Sequence, residues 1–437
     1  MVLKSDVTTR NGIKLGDGMT ILRFVRGYGS GAGLEYDVAA INESLCMRHQ
    51  LHIIQVHMAR PGDSLERLSV PLGKGRLTTI PLLREVLPVT NAASDSRFAE
   101  IRTDFKDFVR DSVLFHPLVA PLYTRLALRN PPPFRPGDVQ GVGATFNEIL
   151  KSQPVNCIAI HAGGGRDAWE AIQEAARFQV PVVMQLHFAN ERFKDLSVRL
   201  QVAQVNGVGG VSDVRIPAYL RSRFTNLLTA VDSQFFSRES AAAFQTEMRR
   251  PLLVLPARIV PNKGQADLIE IVRLLRSRGK FVTVAFSGRV DQPEFEAELR
   301  HRIAEVKLED SFKFLGLLSP AKVRDLMAVS DCLVFPTYHA EGLPRILLEA
   351  QAMELPVAVY DTGGCRAGLI PGETGFLVPT GNVEELANAV ERIIDSPDRA
   401  AAIGERGRKF VTTRFTLNAL ADRHEAFLNQ AFSDHRF

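Results

Sequence analysis

The stretch DCLVFPTYHAEGLPRILLEAQAMELPVAVYD, Asp331 to Asp361, reads as strand, loop, helix, strand. CLVF and VAVY are apolar throughout, the pattern of strands buried on both faces of a sheet. Pro344 suits the first turn of the helix between them, where its missing N–H would lack a partner in any case. Two acids frame that helix start. Glu341 falls in the loop before it, and Glu349 about a turn and a half into it. The loop amides of Gly342 and Leu343 lie beside them in the chain. Carboxylates accept hydrogen bonds from sugar hydroxyls, and bare amides at a helix start suit phosphate or hydroxyl oxygens. The alternative is purely local: an N-terminal Glu that favours the helix dipole and a second Glu on a solvent face.

The same alternation runs through the rest of the chain. Later strand candidates are PLLVLPAR, KFVTVAFSG, FKFLG and GFLVP; earlier ones are MTILRFV, LHIIQVHM, NCIAI, PVVMQLH, GVGGVS and NLLTAV. Helical spacing puts Leu268, Ile271, Val272 and Leu275 on one face, and Leu386, Val390, Ile393 and Ile394 on another. Repeated strand–helix alternation predicts parallel sheets covered on both faces. Each half holds enough strands for its own doubly wound domain. The boundary is expected near Thr246 to Pro251, and a long connection, Arg60 to Arg135, interrupts the first half. Ligands of open parallel sheets bind beyond the carboxyl ends of the strands, so the cleft between two such domains is the expected site.

The 437 residues are 45% hydrophobic and 23% charged, an ordinary globular composition for two domains or more. No uninterrupted apolar run is long enough to cross a bilayer, and the polar start lacks the apolar core of a secretion signal. Cys46, Cys157, Cys332 and Cys365 are scattered with no Cys-x-x-Cys pair, which reads as reduced, buried thiols of a cytoplasmic protein. Residues 1–250 hold 30 Lys and Arg against 24 Asp and Glu, and residues 251–437 hold 23 against 25. A mildly basic first half suits either an anionic acceptor or membrane surface, or simply a solvated face.

RGYGSGAGLEYD, Arg26 to Asp37, follows an apolar run and opens a helical pattern. It is not a dinucleotide fingerprint: from Gly27 the third glycine position is Ala32, and from Gly29 it is Leu34. The next strand offers no acid for a ribose, and no Gly-Lys-Ser/Thr follows for a Walker loop. It reads as a close backbone approach to an anion at a helix start, or as a tight turn. After PLLVLP, Arg258 and Lys263 flank a short loop that opens a helix. Two cations at a strand end suit a diphosphate, whose negative charge rises as it leaves; the alternative is surface charge.

Together these segments resemble the retaining, two-domain GT-B transferases of glycosyltransferase family 4 (glycosyl transferases group 1). Glu341 and Glu349 within EGLPRILLEAQA look like the family's Glu-x7-Glu donor signature, and ARIVPNKG is similar to its GR-x-x-x-x-KG element. DTGG with GETGFLVPTGNVEELANAV resembles its closing strand, turn and helix. GAGLEYDVAAINESL looks like its first loop and helix, CIAIHA and PVVMQLH resemble two N-terminal strands ending in histidine, and AVDSQFF is similar to a linker motif. The similarity is strong from Leu253 to about Thr416 and patchy before that.

The resemblance implies two Rossmann-like domains facing across a cleft: a tail over 1–18, an acceptor-side domain over 19–248, a nucleotide-sugar-binding domain over 249–415, and a helix over 416–437 packing back toward the first. It implies that Arg258 and Lys263 hold the donor diphosphate, Glu349 the ribose and Glu341 the transferred sugar. Gly31 and Gly33 approach donor phosphate and sugar with backbone amides, while Gly342, Leu343 and Arg345 complete the donor set. No Asp-x-Asp occurs in the chain, in keeping with a metal-independent family that needs no cofactor and takes the nucleotide-sugar as substrate. The sequence departs from the family at three places. Gly163 stands where a second histidine is usual after His161, Ala367 where an acid follows Gly-Gly, and Ala32 inside the glycine pair. His161 is carried as a catalytic candidate, and His187 has similar status.

The implied activity is transfer of a hexose-type sugar to an acceptor hydroxyl with retention, by front-face substitution, since no carboxylate stands out as a covalent nucleophile. The implied setting is bacterial cell-surface polysaccharide or glycolipid synthesis, with a saccharide or lipid-linked saccharide acceptor. A peripheral contact with the inner membrane is expected, and no nucleic acid. DFKDFVRDSVLFHPLVAPLYTRLALRN, Asp104 to Asn130, reads as an interfacial surface or as an amphipathic helix packed on the first sheet. Two alternatives stay open. A nucleotide-sugar epimerase of related fold needs no acceptor, and a catalytically weak carbohydrate-binding subunit binds donor without transfer.

Overall fold

The apolar runs that mark strands in the sequence assemble into two sheets. The computed structural model describes residues 14–25, 32–58, 66–82, 141–161, 165–186, 196–211, 216, 220, 223–244 and 247–433. Among the described residues the first sheet has eight strands: β1 (Thr20–Val25), β2 (His52–Met58), β3 (Leu68–Leu72), β4 (Gly75–Leu82), β5 (Cys157–His161), β6 (Val182–Leu186), β7 (Gly207–Gly210) and β8 (Phe224–Asn226). Their order is β3-β4-β2-β1-β5-β6-β7-β8. Neighbours run parallel, except that β3 and β4 form an antiparallel edge hairpin. Among the described residues the helices of this unit are α1 (Ala32–Arg48), α2 (Val142–Ser152), α3 (Arg166–Phe178) and α4 (Leu196–Gln204). Leu22, Phe24, Ile158 and Ile160 share one core with Phe146, Ile172 and Val202, and Phe24 meets Phe146 edge-on. Side chains alternate along a strand, so Ile21, Arg23 and Val25 point to the other face.

The second sheet has six strands, all parallel: β9 (Leu252–Pro256), β10 (Thr283–Ser287), β11 (Phe312–Phe314), β12 (Cys332–Phe335), β13 (Val357–Tyr360) and β14 (Phe376–Val378). Their order is β11-β10-β9-β12-β13-β14. The helices are α5 (Gln265–Ser277), α6 (Pro293–Glu305), α7 (Pro320–Val329), α8 (Arg345–Ala352), α9 (Val383–Ile394) and α10 (Pro397–Arg414); α11 (Leu417–Ser433) is the last. The helical stripes read from spacing are buried at Leu268, Ile271, Val272 and Leu275, and at Leu386, Val390 and Ile393.

Four details differ from the sequence reading. The hairpin β3–β4 lies inside the stretch taken as a long connection. In NLLTAV only Asn226 is in a strand, because Leu228 adopts φ 54°, which ends the extended backbone. Pro344 caps α8 from outside rather than occupying its first turn. The second unit starts at Leu228 rather than at 249, because Leu228, Val231 and Phe236 are buried in its core. Residues from Ala421 onward group with the first unit, where the Phe427 ring packs over Gly207 and Gly209. All four cysteines are buried and unbridged, and burial pushes Cys157 and Cys365 up to about 12. Among the described residues no helix is long and apolar enough to cross a membrane.

Candidate functional site

In the second unit the strand order turns back on itself between β9 and β12. At such a switch point the connections leave to opposite sides, and a crevice opens outside the carboxyl ends of the two strands. The loops after β9 and β12 carry the residues singled out in the sequence.

After β9 the chain passes Arg258 and makes a 3-10 turn, Pro261–Lys263, before Gly264 starts α5. Gly264 has φ +76°, and a Cβ there would lie 2.0 Å from the Pro336 carbonyl oxygen. Glycine therefore lets this turn press against the chain leaving β12. The Asn262 carbonyl then accepts from the Tyr338 amide at 2.9 Å, the His339 amide at 3.1 Å and the Thr337 hydroxyl at 3.2 Å. With the two loops joined in this way, Lys263 Nζ donates to Glu341 Oε1. Lys263 Nζ also lies 5.9 Å over the Phe335 ring. The Glu341 backbone is held from the β13 side. Its carbonyl accepts from the Gly364 amide at 2.9 Å, and a Cβ on Gly363 (φ +56°) would come within 2.3 Å of it.

Arg258 has a different partner. Its Nη1 donates to Asp291 Oδ2 at 2.7 Å, and Arg289 Nε donates to Oδ1 of the same carboxylate at 2.5 Å. Arg289, and after it Arg258, hold the Asp291 carboxyl below the usual range against the opposing effect of burial. Gln265 Nε2 fixes the Arg258 carbonyl at 2.7 Å. At the start of α8, Arg345 Nη2 donates to Oε1 of Glu349, one turn further on, at 3.1 Å. Glu341 and Glu349, read from the sequence as one signature, thus belong to two ion pairs. Gly342 is half-buried, and the Leu343 side chain joins the core. Such a cluster at a strand-end crevice suits an anion with hydroxyl groups beside it.

In the first unit, β1 and β5 are adjacent although far apart in sequence. His161 ends β5, is buried, and its Nε2 contacts Arg23 Nη1. A guanidinium only donates, so Nε2 is the acceptor and the imidazole carries its proton on Nδ1. Nε2 of this catalytic candidate is therefore engaged by a cation inside the unit. Burial pushes Arg23 down to about 10. Gly33 lies in the first turn of α1. Gly31, Gly163, His187 and residues 104–130 lie outside the described residues. Among the described residues no group of three or more His, Cys, Asp or Glu is placed to hold a metal ion.

Sequence reasoning passed over Asp291 and Arg289, although both follow directly on β10, where strand-end residues matter. It also passed over Arg23, a charge inside the apolar run TILRFV. Nothing local marked Asp267, whose Oδ2 accepts from both Tyr338 and Tyr360.

Two Rossmann-like α/β units in one chain, the second with its charges gathered at a switch point, define the GT-B architecture. Residues 237–410 match the glycosyl transferases group 1, and this segment belongs to that family. The chain is 28% identical over 234 residues to a GDP-mannose-dependent alpha-(1-6)-phosphatidylinositol monomannoside mannosyltransferase of Mycobacterium tuberculosis. That match spans 49% of this chain and 60% of the relative. In fold the chain is similar to sucrose-phosphate synthase from Thermosynechococcus elongatus, with TM-score 0.67 and 19% identity over 95% of this chain and 99% of the other. It is also similar to Anabaena HepE in complex with UDP and glucose, with TM-score 0.65 and 17% identity over 94% and 99%.

Proposed function

We propose that this protein transfers a hexose-type sugar from a nucleotide-sugar to an acceptor hydroxyl, with retention and without a metal ion or other cofactor. The observation that carries the reading is the meeting of Lys263 and Glu341 at the β9–β12 switch point, with Arg258 on the same loop as Lys263. Arg258 and Lys263 stabilise the charge that grows on the departing diphosphate. Glu341 accepts hydrogen bonds from the transferred sugar, and Glu349, oriented by Arg345, from the ribose. The amides of Gly342 and Leu343, with the backbone of Gly31 and Gly33, complete the donor contacts. His161 is the candidate contributed from the end of β5. The name of the mycobacterial relative supports a nucleotide-sugar donor and a saccharide or lipid-linked saccharide acceptor. The proposed setting is the cytoplasm, with a lipid-linked acceptor met at the inner face of the membrane, in bacterial cell-surface polysaccharide or glycolipid synthesis. The absence of Asp-x-Asp from the sequence supports metal independence.

The test is turnover of a panel of UDP- and GDP-sugars with saccharide and glycolipid acceptors, with and without EDTA, and NMR of the product anomer. Lys263→Ala is expected to lower kcat by about 10²–10³-fold. Near wild-type turnover in both Lys263→Ala and Glu341→Ala overturns the reading. A sugar epimer formed without acceptor replaces it with the epimerase.

A further inference from the structure

We infer that the Lys263–Glu341 pair makes this site prefer the intact nucleotide-sugar over the nucleoside diphosphate that the reaction leaves behind. The inference rests on the donor-binding reading above. Both side chains are largely shielded from water, 11% exposed for Lys263 and 18% for Glu341. Their backbones are tied as well. The Glu341 amide donates to the His339 carbonyl at 2.7 Å, the His339 amide donates to the Asn262 carbonyl, and Asn262 precedes Lys263. The two backbones are fixed relative to each other, so an anion that takes the ammonium of Lys263 comes to rest near the carboxylate of Glu341.

The two ligands meet that arrangement differently. A nucleoside diphosphate draws Lys263 to its terminal phosphate and leaves Glu341 without its cation, next to a like charge. A shielded charge stripped of its partner is strongly unfavourable, and a like charge nearby adds to the cost. In the nucleotide-sugar one terminal phosphate oxygen is esterified, which removes about one negative charge at neutral pH. Its sugar hydroxyls also supply donors that the Glu341 carboxylate can accept in place of the ammonium. The penalty for opening the pair therefore falls on the product and not on the donor. A Glu341 that served only to accept sugar hydroxyls would leave diphosphate affinity unchanged when neutralised. A Glu341 that competes for Lys263 raises that affinity when neutralised.

Calorimetric titration of the full chain with UDP and UDP-glucose, and with GDP and GDP-mannose, separates these outcomes. Glu341→Gln is expected to tighten diphosphate binding by about tenfold, the size of one charge-assisted hydrogen bond regained. It is expected to weaken the nucleotide-sugar, so that the preference collapses. Glu341→Asp, which keeps the charge, shows no such gain, and neither does the double variant with Lys263→Met. Melting curves establish that each variant is folded. Unchanged or weaker diphosphate binding by folded Glu341→Gln overturns this inference and leaves the donor site standing. A wild type that binds neither nucleotide pair overturns the donor reading and this inference with it.

Discussion

The hydroxyl of Tyr338 donates to Oδ2 of Asp267 at 2.7 Å, and the same oxygen accepts from Tyr360 at 2.7 Å. Asp267 stands in the first turn of α5, Tyr338 in the loop that leads to Glu341, and Tyr360 at the end of β13. The two rings meet edge-on at 5.6 Å. One carboxylate thus braces three strand-end segments around the Lys263–Glu341 pair. Tyr360 is fully buried, whereas Tyr338 is 46% exposed. Asp267→Ala strands a buried hydroxyl and is expected to cost about 1–3 kcal/mol, against about 0.5–1.5 kcal/mol for Tyr338→Phe. Urea unfolding of the variants measures both, and the reverse order would rule out the brace.

The same hydroxyls predict an alkaline limit to stability. A phenol in the unfolded chain ionises near pH 10. Burial, with Asp267 accepting the proton's hydrogen bond, pushes Tyr338 up to about 12 and Tyr360 higher still. Above the unfolded value the folded chain holds more protons than the unfolded one, so each rise in pH favours unfolding. The contribution of Tyr338 is complete below about pH 10 and is lost toward pH 12. Denaturant midpoints taken from pH 8 to 12 should fall less steeply when both tyrosines are replaced by Phe. An unchanged slope assigns the alkaline loss to other groups.

Gly264 and Gly279 both have φ +76°, but a Cβ on Gly279 meets nothing within 4 Å. Gly279→Ala is expected to cost about 1–2 kcal/mol for the left-handed backbone alone. Gly264→Ala adds overlap with the Pro336 carbonyl, about 1–3 kcal/mol more. It should also lower turnover, because that turn sets the position of Lys263. Equal stability loss in the two variants would show that the β9 and β12 loops are not pressed together.

The Arg258–Asp291 contact predicts a split between two neighbours. Arg258→Ala removes a cation from the proposed diphosphate site and should lower kcat by about 10²–10³-fold. Arg258 and Arg289 use different oxygens of Asp291, so Asp291→Asn leaves one acceptor for the two guanidiniums and sets an NH2 against the other. The Arg258 cation itself stays, so the effect on kcat should be much smaller. Steady-state kinetics with a defined donor and acceptor decide this; a larger loss in Asp291→Asn would make the carboxylate the more important group.

His161→Leu leaves the buried Arg23 donor without its acceptor and is expected to cost about 1.5–3 kcal/mol. His161→Gln offers an oxygen near the place of Nε2 and should recover part of that stability. Thermal melting of the two variants checks the contact. If Leu proves as stable as Gln, Arg23 does not depend on His161.

Much of this architecture is legible in the sequence. The four inner strands of the second unit, β10, β9, β12 and β13, are largely apolar runs buried almost throughout, and such runs announce themselves because both faces must be covered. The hairpin β3–β4 escaped notice because most of its side chains are exposed or half-buried and proline interrupts both strands at Pro71 and Pro81. Arg258, Lys263 and Glu341 were recognisable as strand-end residues, since composition and local turn chemistry set where strands stop and helices start. Their partners were not recognisable. Lys263 and Glu341 are 78 residues apart and meet because β12 lies beside β9, while Arg258 turns to Asp291 because β10 lies on the other side. Local sequence determined the elements and the chemical groups at their ends. Which charges face each other was decided by strand order, a property of the whole packed sheet that no single segment carries.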